Sequence, residues 1–200
     1  MITIVDYGMG NLRNVMRACA EIGAEARVTS DPGFVRSASS LILPGVGAFG
    51  EAVRRIDEMG LRQVVLDHAR AGRPLLGICL GMQLLLDSSE ESPGAEGLGL
   101  IPGTVKKLGD SVKVPHIGWN DVVPVSPSPL FPDRNEAPVA YFVHSYYVAV
   151  RPETVAVTEY GVRYSASIRK ANVYGVQFHP EKSQIAGLNL LRRFTLITHD

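Results

Sequence analysis

Residues 74–86 read PLLGICLGMQLLL. Apart from one cysteine and one glutamine, every position is apolar or glycine. A continuous apolar run is the mark of a strand buried on both faces. RPLLGIC is therefore predicted to be a strand, and LGMQLLLDSSEES a helix that follows it with almost no loop. Gly77-Ile78-Cys79-Leu80-Gly81 forms the junction, and G-x-C-x-G has the form of a nucleophile elbow with cysteine in the usual place of serine. The turn is tight, and a Cβ at either glycine would meet neighbouring backbone. Such a junction lifts the thiol out of the sheet to a helix N-terminus, where the dipole and free N–H groups favour thiolate. The Leu80 N–H then points where an oxyanion forms. For an isolated cysteine the commoner state is buried and inert, so the rest of the chain must decide.

Outward from this junction, the first half alternates. ITIVDYG, AEARVTS and SSLILPG read as strands. NLRNVMRACAEIGA has helical spacing at Leu12, Val15, Met16 and Cys19 and ends at Gly23. GEAVRRIDEMGLRQVVLDHARAG reads as one helix, or two broken near Gly60. Strand–helix alternation implies a parallel sheet covered by helices. The second half is punctuated by Pro and Gly and is rich in strand formers: VVPVS, YFVHSYYVAV, TVAVTEYG, VRYSASIRK and NVYGVQFHPE. These are expected to add antiparallel or mixed strands to the parallel core. SQIAGLNLLRRFTLI closes the chain as an amphipathic helix with Ile185, Leu188, Leu191 and Phe194 near one face. With no repeat or low-complexity linker, residues 1–200 read as one domain.

Bulk properties exclude several classes. Twenty basic and 20 acidic residues cancel, so the chain lacks the electrostatic footprint of a nucleic-acid binder. The apolar run at 74–86 is shorter than the roughly 20 residues that span a bilayer. MITIVDYG lacks the basic and apolar regions of a signal peptide. Cys19 and Cys79 are the two cysteines, which argues against a disulfide framework or structural zinc. A cytoplasmic protein acting without nucleic acid, membrane, metal or cofactor is expected.

A thiolate nucleophile needs a base and an orienting group. GVQFHPEKS supplies His179 and Glu181, whose side chains leave an extended chain on the same side. Glu181 can accept from one ring nitrogen while the other faces Cys79, the cysteine version of a general triad. Alone, His-Pro-Glu is equally a surface turn. LPGVGAFGEAV, residues 43–53, leaves a strand through glycines into a helix and offers N–H groups to an anion. One such donor is worth roughly 3–4 kcal/mol to an oxyanion. A Walker loop is ruled out, since no G-K-[ST] follows; a plain tight turn is the bland alternative. Gln83 lies four residues after Cys79 and shares its helix face, to bond nearby backbone or a substrate. His144 in FVHSYY is either a second base or a structural histidine. DYGMGNLRN carries Gly8 and Gly10 but Arg13 at the third glycine position, so it fails as a dinucleotide loop.

PGVGAFG, GICLGMQLL and FHPEKS, in this order and spacing, resemble the class I (triad) glutamine amidotransferases. VDYGMGNLRNV and PHIGWN resemble, within that family, the glutaminase subunits of imidazole glycerol phosphate synthases. The resemblance covers essentially the whole chain, FVHSYY included. It implies a flavodoxin-like three-layer α/β fold: a mixed sheet with a parallel core, helices on both faces, and antiparallel strands from the second half. It implies that Cys79 attacks the glutamine carboxamide, that His179 moves the proton and that Glu181 orients His179. By motif position the Val46–Gly47 backbone and the Leu80 N–H form the oxyanion hole, and Gly45, Gly47, Gln83, Ser145 and Tyr146 hold substrate. The implied partner is a separate (β/α) barrel cyclase subunit that receives ammonia through a protected tunnel. That subunit adds the nitrogen to a phosphoribulosyl nucleotide, giving imidazole glycerol phosphate and aminoimidazole carboxamide ribotide.

The chain itself shows no phosphate loop or acceptor domain, so released ammonia needs a partner and partner-gated activity is expected. Asn11, Asn14, Pro115, His116, Ile117, Gly118, Trp119, Asn120 and Lys182 are the expected contact surface. Trp is favoured at interface hot spots, though a single Trp is also commonly core. The competing readings are another amidotransferase of the same class, a cysteine peptidase or esterase on a similar sheet, and a non-enzymatic protein with a relic pocket.

Overall fold

The computed structural model describes residues 1–133 and 137–197. Its strands are β1 (Ile2–Val5), β2 (Ala26–Thr29), β3 (Ser40–Gly45), β4 (Leu75–Cys79), β5 (Ser88–Ser89), β6 (Thr104–Lys107), β7 (His116–Asp121), β8 (Val123–Pro124), β9 (Val139–His144), β10 (Tyr146–Tyr147), β11 (Thr154–Tyr160), β12 (Val162–Lys170) and β13 (Val173–Val176). Its helices are α1 (Leu12–Glu21), α2 (Pro32–Ser37), α3 (Phe49–Glu58), α4 (Leu61–Arg70), α5 (Leu80–Leu84) and α6 (Gln184–Thr195).

The main sheet runs β2-β1-β3-β4-β13-β12-β11-β8. Its first five strands are parallel, and β12, β11 and β8 add antiparallel. The parallel order is that of flavodoxin-like sheets. Strand alternation builds the two apolar layers. Val5, Leu41, Leu43 and Leu75 pack on one face with α2, α3 and α4; Ile2, Ile4, Ile42, Leu76 and Ile78 pack on the other with α1 and α6. Each such aliphatic side chain, once buried, contributes roughly 1.5–3 kcal/mol. Two smaller pairings, β10-β6-β5 and β7-β9, lie beside the main sheet. No helix among the described residues is long and apolar enough to cross a membrane.

Several expectations need correction. The helix expected over LGMQLLLDSSEES stops at Leu84. Its continuation is diverted because the Leu84, Leu85 and Leu86 carbonyls accept from the N–H groups of Leu98, Ile101 and Gly99. Of the two alternatives for GEAVRRIDEMGLRQVVLDHARAG, the structure takes the second: two helices, broken where Gly60 adopts φ 65°. Helix α2 had no counterpart in the sequence reading, although Asp31 caps it through Gly33 and Phe34 and Pro32 opens it. In α6 the buried stripe is Gly187, Leu190, Leu191 and Phe194, while Ile185 is 74% exposed. From VVPVS, Val123–Pro124 alone joins the sheet.

Candidate active site

Register brings the candidate residues to one edge. Gly45 pairs with Cys79 and Val176 with Ile78, so three parallel strands end together at their carboxyl side. Gln177 follows β13 at the level of Cys79, and His179 stands two residues beyond. The sharp turn after β4 is real: Cys79 has φ 55° and ψ −110°, a left-handed conformation rare outside glycine. Gly77 and Gly81 make it possible. A Cβ on Gly81 would overlap the Leu43 carbonyl oxygen, and one on Gly77 would lie 2.5 Å from the Gly81 oxygen. Helix α5 is short, so the support it lends a thiolate is that of its first N–H groups more than of a long dipole.

His179 and Glu181 meet, but not along the extended chain expected: β13 ends at Val176, and Pro180–Lys182 form a single 3₁₀ turn that folds Glu181 back onto His179. His179 Nδ1 lies 2.8 Å from Glu181 Oε1, and both side chains are almost fully buried. The segment is tied to β9: the His179 N–H donates to the Tyr141 carbonyl, and Ser183 Oγ donates to the His179 carbonyl while accepting from the Tyr141 N–H. His179 Nε2 is buried without a hydrogen-bond partner and lines the same cavity as Cys79. Burial alone would lower the His179 pKa, but the nearby Cys79 thiolate, and after it the Glu181 carboxylate, outweigh burial and raise it. Nε2 and Sγ are close enough for charge to act between them.

A cavity of about 440 Å³ surrounds this set, bounded by Val46, Gly47, Cys79, Leu80, Gln83, Glu91, Pro115, Val143, Ser145, Tyr146 and Lys182 among others. Gly45 sits one step back, buried in β3, and does not line it. Gly47 has φ 103°, which explains glycine there. The Val46 N–H donates to the Met9 carbonyl at 3.3 Å, so this expected oxyanion donor is engaged elsewhere. The start of α3 is likewise committed: Phe49 N donates to Glu91 Oε2 at 2.8 Å and Gly50 N to Ser92 Oγ at 3.0 Å. A loop of the same chain therefore caps that helix, through acceptors 42 residues away that no local pattern announces. Gln83 bonds protein, donating to the Tyr146 carbonyl and to Gln177 Oε1. His144 is structural: burial first, then His116, lowers its pKa to about 3, and both ring nitrogens have partners.

The expected contact surface divides. Ile117 and Trp119 are exposed, and the Trp119 ring packs edge-on against Tyr141, which also lies beneath the Lys182 ammonium. Asn14 and Lys182 line a shared groove beside α1 and α6, and Asn11 opens α1. Gly118 and Asn120 are partly buried, and Asn120 Nδ2 donates to the Glu159 carbonyl. His116 is the exception. Strand alternation turns it inward, stacked on Tyr160 and Phe142, where no partner reaches it.

A nucleophile elbow, a buried His–Glu pair and a glycine-rich loop around one cavity fit the chemistry of amide transfer, and the family model agrees. "Glutamine amidotransferase class-I" matches residues 3–197, and the chain belongs to that family. Among its relatives are two proteins named imidazole glycerol phosphate synthase subunit HisH. One, from Methanothermobacter thermautotrophicus, is 50% identical over 198 residues, covering 98% of each chain. The other, from Moorella thermoacetica, is 48% identical over 201 residues, covering 99% of this chain and 96% of its own. A crystal structure of a glutamine amidotransferase shares the fold at TM-score 0.77 and 18% identity, over 98% of this chain and 100% of that one.

Proposed function

We propose that the chain, acting as one cytoplasmic domain over residues 1–200, is the glutaminase subunit of an imidazole glycerol phosphate synthase in histidine biosynthesis. The observation that carries this is Cys79, held at φ 55° in a cavity it shares with His179, whose Nδ1 pairs with the buried Glu181. The Cys79 thiolate attacks the side-chain carboxamide carbon of glutamine. The Leu80 N–H and the Val46–Gly47 backbone meet the oxyanion, and the imidazolium of His179 protonates the leaving ammonia. Water, deprotonated by His179, then opens the thioester and releases glutamate. Gly47, Gln83, Ser145 and Tyr146 hold the substrate, with Gly45 supporting the loop from behind. Glu181 keeps the His179 proton on Nδ1 and stabilises the imidazolium.

Ammonia passes to a (β/α) barrel cyclase subunit, which uses it to make imidazole glycerol phosphate and aminoimidazole carboxamide ribotide. Asn11, Asn14, Ile117, Trp119 and Lys182 form the outer contact surface, with Pro115 at the cavity rim. The Val46 N–H, bonded to the Met9 carbonyl, must be released before it serves the oxyanion. Binding of the cyclase supplies that release, so glutamine hydrolysis by the isolated chain is feeble.

Cys79→Ala tests the reading. Glutamine hydrolysis is expected to vanish, while the assembled complex still makes product from added ammonia. Near-normal glutaminase activity in the variant would overturn the mechanism, and robust activity of the isolated parent chain would overturn the gating.

A further inference from the structure

Five buried polar side chains outside the Cys79, His179 and Glu181 set (His116, Tyr164, His144, Gln83 and Gln177) join, through the Tyr146 carbonyl, into one hydrogen-bonded chain that reaches the cavity. His116 Nδ1 lies 2.8 Å from the Tyr164 hydroxyl, and His144 Nε2 lies 2.9 Å from the same oxygen. His144 Nδ1 is 2.9 Å from the Tyr146 carbonyl. That carbonyl also accepts from Gln83 Nε2 at 2.9 Å, and the same Nε2 donates to Gln177 Oε1 at 3.1 Å. Gln177 Nε2 in turn lies 3.8 Å from the Cys79 sulfur.

The proton positions follow by elimination. A carbonyl only accepts, so His144 carries its proton on Nδ1. Burial keeps His144 neutral, so its Nε2 accepts and the Tyr164 hydroxyl donates to it. The hydroxyl oxygen is left to accept from the His116 Nδ1–H. Every link then has one permitted direction, and the Tyr146 carbonyl uses both lone pairs. The rings cannot swing away: His116 stacks on Tyr160 at 3.9 Å between centroids, and Tyr164 is fully buried.

We propose that Tyr164 is a positioning residue for glutamine binding, its hydroxyl fixing His144 and, through it, the Tyr146 carbonyl and the Gln83 carboxamide at the cavity wall. The inference rests on the glutaminase reading above. Two of the atoms it fixes belong to residues placed around the substrate, whereas the reacting groups are met only at the far end, where the Gln177 amide lies 3.8 Å from the Cys79 sulfur. Loss of the hydroxyl therefore loosens the binding wall and leaves the chemistry in place.

Tyr164→Phe keeps the ring and removes one oxygen. Glutaminase kinetics of the chain assembled with its cyclase subunit are the test, with the thermal midpoint followed in parallel. KM for glutamine is expected to rise about five- to tenfold, the worth of one hydrogen bond, with kcat changed less than about twofold. His144→Phe breaks the next link and raises KM at least as much, and the double variant is no worse than His144→Phe alone. An unchanged KM in Tyr164→Phe, or additive effects in the double variant, overturns the proposal even if the midpoint falls. Should Tyr164→Phe fail to fold, an unchanged KM in His144→Phe overturns it. A parent complex without glutaminase activity would instead sink the glutaminase reading, and this proposal with it, before any variant is made.

Discussion

The two cysteines occupy the same apolar layer of the molecule, at two corners built differently. Cys19 is 0% exposed and Cys79 is 6% exposed, so burial does not separate them. Cys19 sits inside α1 with Val15 and Ala18, and burial pushes its thiol up to about 11. Cys79 sits at the end of β4 with φ 55°, its sulfur facing a cavity wall and the Gln177 amide. What differs is the backbone. A regular helix turns a side chain into the packing with its neighbours, whereas a left-handed residue between strand and helix turns it out over the sheet edge. The lesson is that an apolar neighbourhood says little about a cysteine until the local dihedrals are known.

The sharpest way to break this contrast is to deny Cys79 its turn. Gly81→Ala places a methyl group on the Leu43 carbonyl oxygen, which is backbone of the adjacent strand β3 and cannot rotate away. Destabilisation of at least about 3 kcal/mol is expected, with glutaminase activity down at least about a hundredfold. Thermal melting and turnover by the assembled complex measure it. Parental values of both in Gly81→Ala would mean that the tight approach of α5 to β3 does not hold the nucleophile.

Next comes Glu181→Gln, which leaves the turn and its contribution to stability intact and weakens the base alone. A drop in kcat of about a hundredfold to ten-thousandfold is expected, the range for the third member of a triad. The pH profile supplies the sign. The His179 pKa is raised in the folded protein, so the imidazolium persists above the ordinary histidine range and activity that needs its proton falls only as pH climbs through the raised value. The stability due to its pairing follows the same course, present at neutral pH and lost toward alkaline pH. Removing the Glu181 charge removes one of the raising influences, so the alkaline limb of kcat/KM moves to lower pH. A limb that stays put while kcat falls would show that Glu181 orients the ring without affecting its proton.

The same division explains what could be read from the chain. Leu41, Leu43 and Ile42 announced a strand buried on both faces, and Gly77 and Gly81 announced the turn, because those signals are local. The His179–Glu181 pairing was legible from its two-residue spacing, although Pro180 opens a 3₁₀ turn there and not the extended chain expected. Asp31 and Pro32 signalled α2 as well, by capping chemistry that a short helix makes easy to overlook. Other features depend on partners distant in sequence. Helix α5 ends early at Leu84 because Leu98, Ile101 and Gly99 return to donate to the Leu84, Leu85 and Leu86 carbonyls. Glu91 and Ser92 cap α3 from 42 residues away. His116 faces inward because β7 pairs with β9, a register no local pattern states. Tyr164 reads as an ordinary strand tyrosine until two histidines meet its hydroxyl.

Cys19→Ala is the smallest change and the direct check on the contrast. The sulfur lies in a packed layer between α1 and the sheet, so its loss leaves a small void and lowers stability by about 1 kcal/mol. Glutaminase kinetics should equal those of the parent, because Cys19 does not line the cavity. Alkylation by a haloacetamide then separates the two thiols. The folded parent and the folded variant both take up one equivalent, at Cys79; after denaturation the parent takes up a second and the variant does not. Rapid uptake of two equivalents by the folded parent would show that Cys19 is reached through local opening of α1, and that its burial, not the Cys79 turn, is the weaker half of the comparison.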